Sequence, residues 1–220
     1  MTWLQQNLAL VAELTSIHLA ITLPAVVLSL VVAVPIGRLA STRKWIGGPT
    51  VAALAVLYAV PSLPLLIIVP TVLGTELRSP LNLVVVLAIY GVAVLVRSVV
   101  DGFAAVPNDT RTAATAIGYG GWTRLWVIEL PLAAPIIIAG LRVVVVSTIS
   151  LVTIGSVIGI RSLGTLFTDG FQRGIVAEVV TGLVVTVALA LVLDRVCAVG
   201  GRLLLPWTVP AARRRSAVAR

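Results

Sequence analysis

Five long stretches of this chain carry no charged side chain: residues 14–37, 45–75, 79–96, 143–160 and 179–193. A helix that crosses a bilayer needs roughly 17–25 predominantly apolar residues. The first four stretches reach that length as they stand. The fifth reaches it when extended to about 174–199, with Glu178 and Asp194 near its ends. Only 11% of the residues are charged and 59% are apolar, against about 25% charged in a soluble domain, so this surface cannot be kept in water. The stretches do not alternate polar and apolar residues, which argues against an outer-membrane barrel. Irregular backbone cannot face lipid, which leaves helices. The expected fold is all-α: a polytopic membrane protein with about five transmembrane helices, near residues 17–37, 49–73, 80–97, 133–158 and 174–199.

The placement of positive charge predicts the topology. With the N-terminus outside, the inner segments hold Arg38, Arg43, Lys44, Arg97, Arg111, Arg124, Arg142, Arg195, Arg202, Arg213, Arg214, Arg215 and Arg220. The outer segments hold only Arg78, Arg161 and Arg173. Cytoplasmic segments carry the excess of Lys and Arg, so the N-terminus is expected outside and the C-terminus in the cytoplasm. Residues 200–220 then form a basic cytoplasmic tail whose Arg213–Arg215 run reads as a topology signal attracted to lipid headgroups, not as a nucleic-acid site. The first residues lack a basic n-region, so the first span is expected to remain as an uncleaved anchor. Residues 1–14 read as a short amphipathic outer segment with Trp3 at the interface. His18 and Thr22, one turn apart, read as interfacial. The single cysteine, Cys197, offers neither an intrachain disulfide nor a metal cluster.

The second span is interrupted by Pro61, Pro64 and Pro70. Proline removes a donor and clashes with the preceding turn, so a kink or break is expected. Breaks in a membrane are tolerated against protein or a water-filled cavity and often line transport paths. The candidate path positions are Tyr58, Pro61, Ser62, Pro64, Tyr90, Ser147 and Thr153. The small residues of span four suit close helix packing and a polar pore wall equally. Arg142, just inside the cytoplasmic end of that span, is expected to snorkel or pair, with Glu129 as its partner. No charged residue is expected in mid-span.

Between spans three and four lies a long cytoplasmic segment, about 98–132, too polar to cross a membrane. Asn108 or Asp109 can cap its first helix, which is expected to run from Thr110 to Ile117. Gly118, Gly120 and Gly121 then break it, and Trp122 to Glu129 reads as a second short helix. Trp122, Leu125 and Trp126 fall on one face by helical spacing, and Leu130-Pro131 ends the unit. An apolar face exposed to the cytoplasm implies a partner.

This segment resembles the EAA motif of ABC importer permeases: Glu-Ala-Ala, three residues, Gly, nine residues, Ile, any residue, Leu-Pro. Ala113, Ala114, Gly118, Ile128, Leu130 and Pro131 match in register. Thr112 stands where the family often has Glu, which removes one charged contact. The resemblance implies a type I importer permease with the methionine-permease-like fold over about residues 15–199. It also implies that residues 112–126 couple the spans to a cytoplasmic ABC ATPase dimer. The chain has no GxxxxGK[ST] loop, so ATP and magnesium would be bound by that partner, with no cofactor here and no enzyme activity in this chain.

The segments AVPSLPLLIIVPTVLG, RSVVDGF and IELPLAAPIIIAGLRVVVVSTISLVTIGSVIG are similar to permeases for osmoprotectants. That similarity implies a quaternary ammonium cargo such as glycine betaine, carnitine or choline. It further implies an extracytoplasmic binding protein, a second permease subunit (a heterodimer being favoured), and residence in a bacterial inner membrane. The aromatics available to such a cation are Tyr58, Tyr90 and, at an inner edge, Trp45. The competing readings are the same machinery for methionine or another amino acid, and an ion-coupled secondary transporter, which would carry acidic residues in mid-span.

Overall fold

In lipid a backbone finds hydrogen-bond partners only within its own segment, and the computed structural model is accordingly helical. It describes residues 2–208, and no strand occurs among them. In chain order the helices are α1 (Thr2–Gln6), α2 (Leu8–Thr42), α3 (Lys44–Ala59), α4 (Ser62–Leu73), α5 (Pro80–Ala104), α6 (Asn108–Ala116), α7 (Gly121–Arg124), α8 (Leu130–Val152), α9 (Thr165–Arg173) and α10 (Val176–Leu204). A π-helical segment, Leu125–Glu129, joins α7 to α8, and a 3₁₀ segment, Thr153–Ile158, extends α8. Four continuous helical bodies are long and apolar enough to cross a membrane, and the bent pair α3–α4 makes a fifth span if counted as one. Arg213, Arg214, Arg215 and Arg220 of the expected basic tail lie outside the described residues.

The helices overrun the uncharged stretches. Thr2–Gln6 form the short helix α1, and α2 begins at Leu8, before the end of the expected outer segment. It has 35 residues, which at about 1.5 Å each make it longer than the roughly 30 Å hydrocarbon core. Helix α5 continues to Ala104 rather than ending at Arg97. The helical body of the fourth span starts at Gly121, ahead of residue 133. The last reaches Leu204, so the segment from 200 opens as helix. Absence of charge marks only the part of a helix that sits in lipid; main-chain hydrogen bonds carry the helix on into water.

Helix α5 lies at the centre, packed between α2 and α8, while α10 lies outside α8. Val92, Leu95, Val96, Val99 and Phe103 of α5 meet Ala33 of α2 and Ala133, Ile137 and Val144 of α8 in the main core. Small residues allow the crossings. A Cβ on Gly37 would sit 2.6 Å from Val99, and one on Gly140 would sit 2.3 Å from the Ser98 hydroxyl. His18 and Thr22 belong to this packing. Both are fully buried, and His18 Nε2 donates to the Ile149 carbonyl at 3.1 Å. The expected interfacial placement is therefore corrected, because α2 is buried there against α8.

Between the 3₁₀ extension of α8 and the start of α10, Thr165–Arg173 form helix α9. Leu163 and Leu166 seat it against Val11 and Leu14 at the start of α2.

Candidate functional site

The 105–121 segment folds as an ordered knob. Pro107, with extended backbone, precedes α6, and no side chain caps its amides. The expected Asn108 or Asp109 cap is absent. The Asn108 side-chain Oδ1 instead accepts from Arg111 Nη1 at 3.1 Å, and Asp109 sits in the first turn, where the helix dipole favours an anion. The helix starts at Asn108, one residue beyond a proline that fixes the extended entry.

Gly118 ends α6. Its φ is +92°, a region other residues resist. The Gly118 amide bonds the Thr115 carbonyl and the Tyr119 amide bonds the Ala114 carbonyl, both at 3.0 Å. These are the paired bonds of a Schellman turn. Of the three residues matched to the motif's first triplet, Ala114 faces inward while Thr112 and Ala113 are exposed.

The chain re-enters helix at Gly121 and does not stop at Leu130-Pro131. Residues 121–158 are one helical body. Pro131 follows directly on the π segment Leu125–Glu129 and does not end the helix. The π segment Leu125–Glu129 is a form that recurs at functional sites. It separates the residues expected on one face. Trp122 and Trp126 point outward, 73% and 53% exposed, with rings edge to face at 5.8 Å. Leu125 and Leu130 instead pack on the main core, and Ile128 is half-buried. Ile117, Tyr119 and Val127 are exposed beside the tryptophans.

Glu129 fastens this knob to the bundle. Its carboxylate is fully buried. Arg38 Nη2 of α2 lies 2.8 Å from Oε2, Arg124 Nε donates to Oε1 at 2.8 Å, and Arg111 Nε lies 3.7 Å from Oε2. Each arginine has a second contact. Arg38 lies 5.0 Å over the Phe103 ring, Arg111 donates to the Phe103 carbonyl, and Arg124 Nη1 donates to the Thr115 hydroxyl at 2.8 Å. The span α2, the end of α5, helix α6 and the π segment thus converge on one carboxylate.

The expected Glu129–Arg142 pair is not formed. Arg142 pairs with Asp194 of α10 through two 2.7 Å bonds, from Nε to Oδ1 and from Nη2 to Oδ2. Both lie inside α8 and α10, helices long and apolar enough to cross a membrane. The signal was present in the sequence as two lone opposite charges in apolar runs, but pairing them required knowing that α8 packs on α10.

The broken second span turns by 103° between Ala59 and Ser62. Pro61, with extended backbone, precedes α4; Pro64 and Pro70 lie within that helix. The break frees the Val60 carbonyl, and the Tyr90 hydroxyl of α5 donates to it. Tyr90 is buried, while Tyr58 is half exposed and meets the Tyr90 ring edge to face at 5.8 Å. Tyr58, Arg142, Ser147, Ser150 and Asp194 line a concavity of about 710 Å³. Of the candidate path residues the structure brings Tyr58 and Ser147 together on this wall. Pro61, Ser62 and Pro64 form the adjacent break, Tyr90 pins it from behind, and Thr153 lies apart, its hydroxyl donating to the Ser150 carbonyl at 2.6 Å.

This architecture is that of a type I ABC importer permease. It superposes on the inward-facing MetNI methionine ABC transporter with a TM-score of 0.77 at 20% identity, over 90% of this chain and 98% of that one. It superposes on an amino acid ABC transporter crystallised with histidines with a TM-score of 0.69 at 18% identity, over 93% and 97%. Residues 25–200 match the binding-protein-dependent transport system inner membrane components, and the chain belongs to that family. The chain is 31% identical to the osmoprotectant import permease protein OsmW of Salmonella typhimurium, over 87% of this chain and 90% of that protein. It is 32% identical to the glycine betaine/carnitine/choline permease OpuCB of Bacillus subtilis, over 94% of each. It is 31% identical to the choline permease OpuBB of the same organism, over 86% of each. Family membership and the spanning helices make it a multi-pass inner-membrane protein that works with a binding protein and an ATPase.

Proposed function

We propose that this chain is the membrane permease of an ATP-driven importer for a quaternary ammonium osmoprotectant, with glycine betaine, carnitine and choline as the candidate cargoes. The observation that carries the transport mechanism is the exposed Trp122–Trp126 edge on a knob that Glu129 ties to α2 and α5. A cytoplasmic ATPase dimer would grip this edge, and its closure on ATP and magnesium would be transmitted through Glu129 to the spans. No ATP-binding loop is present in this chain, so hydrolysis would belong to the partner.

The cargo rests on the relatives OsmW, OpuCB and OpuBB, whose names state osmoprotectants, glycine betaine, carnitine and choline. The charge distribution supports an outer N-terminus and a cytoplasmic knob. A second permease subunit, favoured as a different chain, would cover the face that carries Arg142 and Asp194, since a charged pair turned to lipid is costly.

The test is a reconstituted complex of permease, ATPase and binding protein. Binding protein loaded with glycine betaine should stimulate ATP hydrolysis. Absence of stimulation by every betaine, choline and carnitine would overturn the cargo, while stimulation by methionine alone would favour the amino-acid reading.

A further inference from the structure

The Arg142–Asp194 pair has no structural explanation in the core, because it does not lie in the core. Arg142 is twelve residues past Leu130 in α8, and Asp194 is ten residues short of Leu204 in α10. Both lie within helices long and apolar enough to cross a membrane. Their side chains are nevertheless 42% and 20% exposed. They share two fork-to-fork bonds and line an open concavity of about 710 Å³. The same wall carries a half-exposed Tyr58 ring and the hydroxyl side chains Ser147 and Ser150.

We infer that this pair is a binding site for a zwitterion that carries a carboxylate and a quaternary ammonium group. The inference rests on the permease reading above and names the part of the path that reads both charges of the solute. The pair opens and is replaced charge for charge. The Arg142 guanidinium, whose planar fork matches a carboxylate through two parallel bonds, takes the solute's carboxylate. A quaternary ammonium has no N–H to donate and is held by an anion and an aromatic face. Asp194 supplies the anion and Tyr58 the face. Each protein charge exchanges one counter-ion for another, so no charge is left uncompensated in the membrane while the solute is bound. When the solute leaves, the two side chains close on each other again. A single fixed charge in the same place could not do this.

A solute with the cation but no carboxylate gains only the Asp194 half of the site and leaves Arg142 unpaired. This separates a ligand site from a structural tie between α8 and α10. The experiment uses the complete complex in vesicles and measures uptake of glycine betaine, which has the carboxylate, and choline, which lacks it. Arg142→Gln should lower glycine betaine uptake at least about tenfold, the scale of a charge-assisted contact, and lower choline uptake far less. Arg142→Lys retains the charge that holds α8 to α10 but loses the fork. It keeps the test intact if the glutamine variant does not assemble, and should raise the KM for glycine betaine several-fold while sparing choline.

Equal losses for both solutes in these variants, or no loss for either, overturn the site and leave the permease reading standing. A wild-type complex that moves neither solute overturns the permease reading for this cargo, and the site with it.

Discussion

Arg38 of the first span and Glu129 at the foot of the fourth meet at 2.8 Å, with the carboxylate wholly buried and the arginine about four-fifths so. The contact joins α2 to the knob that lies between α5 and α8 in the chain. Arg124 and Arg111 approach the same carboxylate, so one acidic group balances three basic ones. Any displacement of the knob must either carry α2 with it or break this cluster.

Glu129→Gln leaves three guanidinium groups around a neutral amide. Removing one partner of a buried charge network costs about 3–5 kcal/mol. The variant should insert and retain its spans, with a lowered thermal midpoint in detergent and loss of solute-stimulated ATP hydrolysis. Arg38→Ala should follow it in direction. Wild-type stimulation in Glu129→Gln would remove the cluster from the transmission route.

Gly118→Val tests the turn alone. A Cβ at Gly118 meets no atom within 4 Å, so the penalty is the backbone strain of φ +92°, about 1–2 kcal/mol. Membrane abundance should be unchanged and transport should fall steeply. Gly118→Asn, which tolerates the left-handed region better, should retain more activity. Normal uptake by the valine variant would show that the turn geometry is dispensable.

Trp122→Ala and Trp126→Ala remove exposed rings that stabilise little within the chain. Aromatic anchors in protein interfaces contribute about 2 kcal/mol or more, so each variant should bind the ATPase roughly 30-fold more weakly. Affinity in detergent extract measures this, with unfolding temperature unchanged as the control. Undiminished affinity in both variants would locate the ATPase elsewhere.

Tyr90→Phe leaves the Val60 carbonyl at the break without its donor. An unpaired buried acceptor costs about 1–3 kcal/mol. The thermal midpoint should fall, and the α3–α4 elbow should become more accessible to proteolysis. An unchanged midpoint would mean that water or lipid headgroups already satisfy that carbonyl.

The helical fold and the knob were legible because they follow from local rules. Uncharged length marks a span, and Gly118 at its fixed distance from Ala113 and Ala114 marks a turn. Leu130-Pro131 does not end the unit because the π segment Leu125–Glu129 runs directly into α8, a continuity that no local sequence rule marks. Glu129 was matched with Arg142 by proximity along the chain. Its true partners, Arg38, Arg111 and Arg124, come from three other elements, and no pattern in the sequence ranks them above Arg142. The same holds for Arg142 and Asp194, whose pairing depends on α8 lying against α10. His18 looked interfacial because its place near the end of a span says nothing about which helix covers it.

The most direct test is accumulation of labelled glycine betaine in vesicles that contain the complete complex, with binding protein outside and ATP inside, in the absence of any ion gradient. Uptake that requires ATP and stops when the ATPase subunit is omitted is the predicted result. Uptake that persists without the ATPase and follows an imposed ion gradient would contradict it and make the chain a secondary transporter.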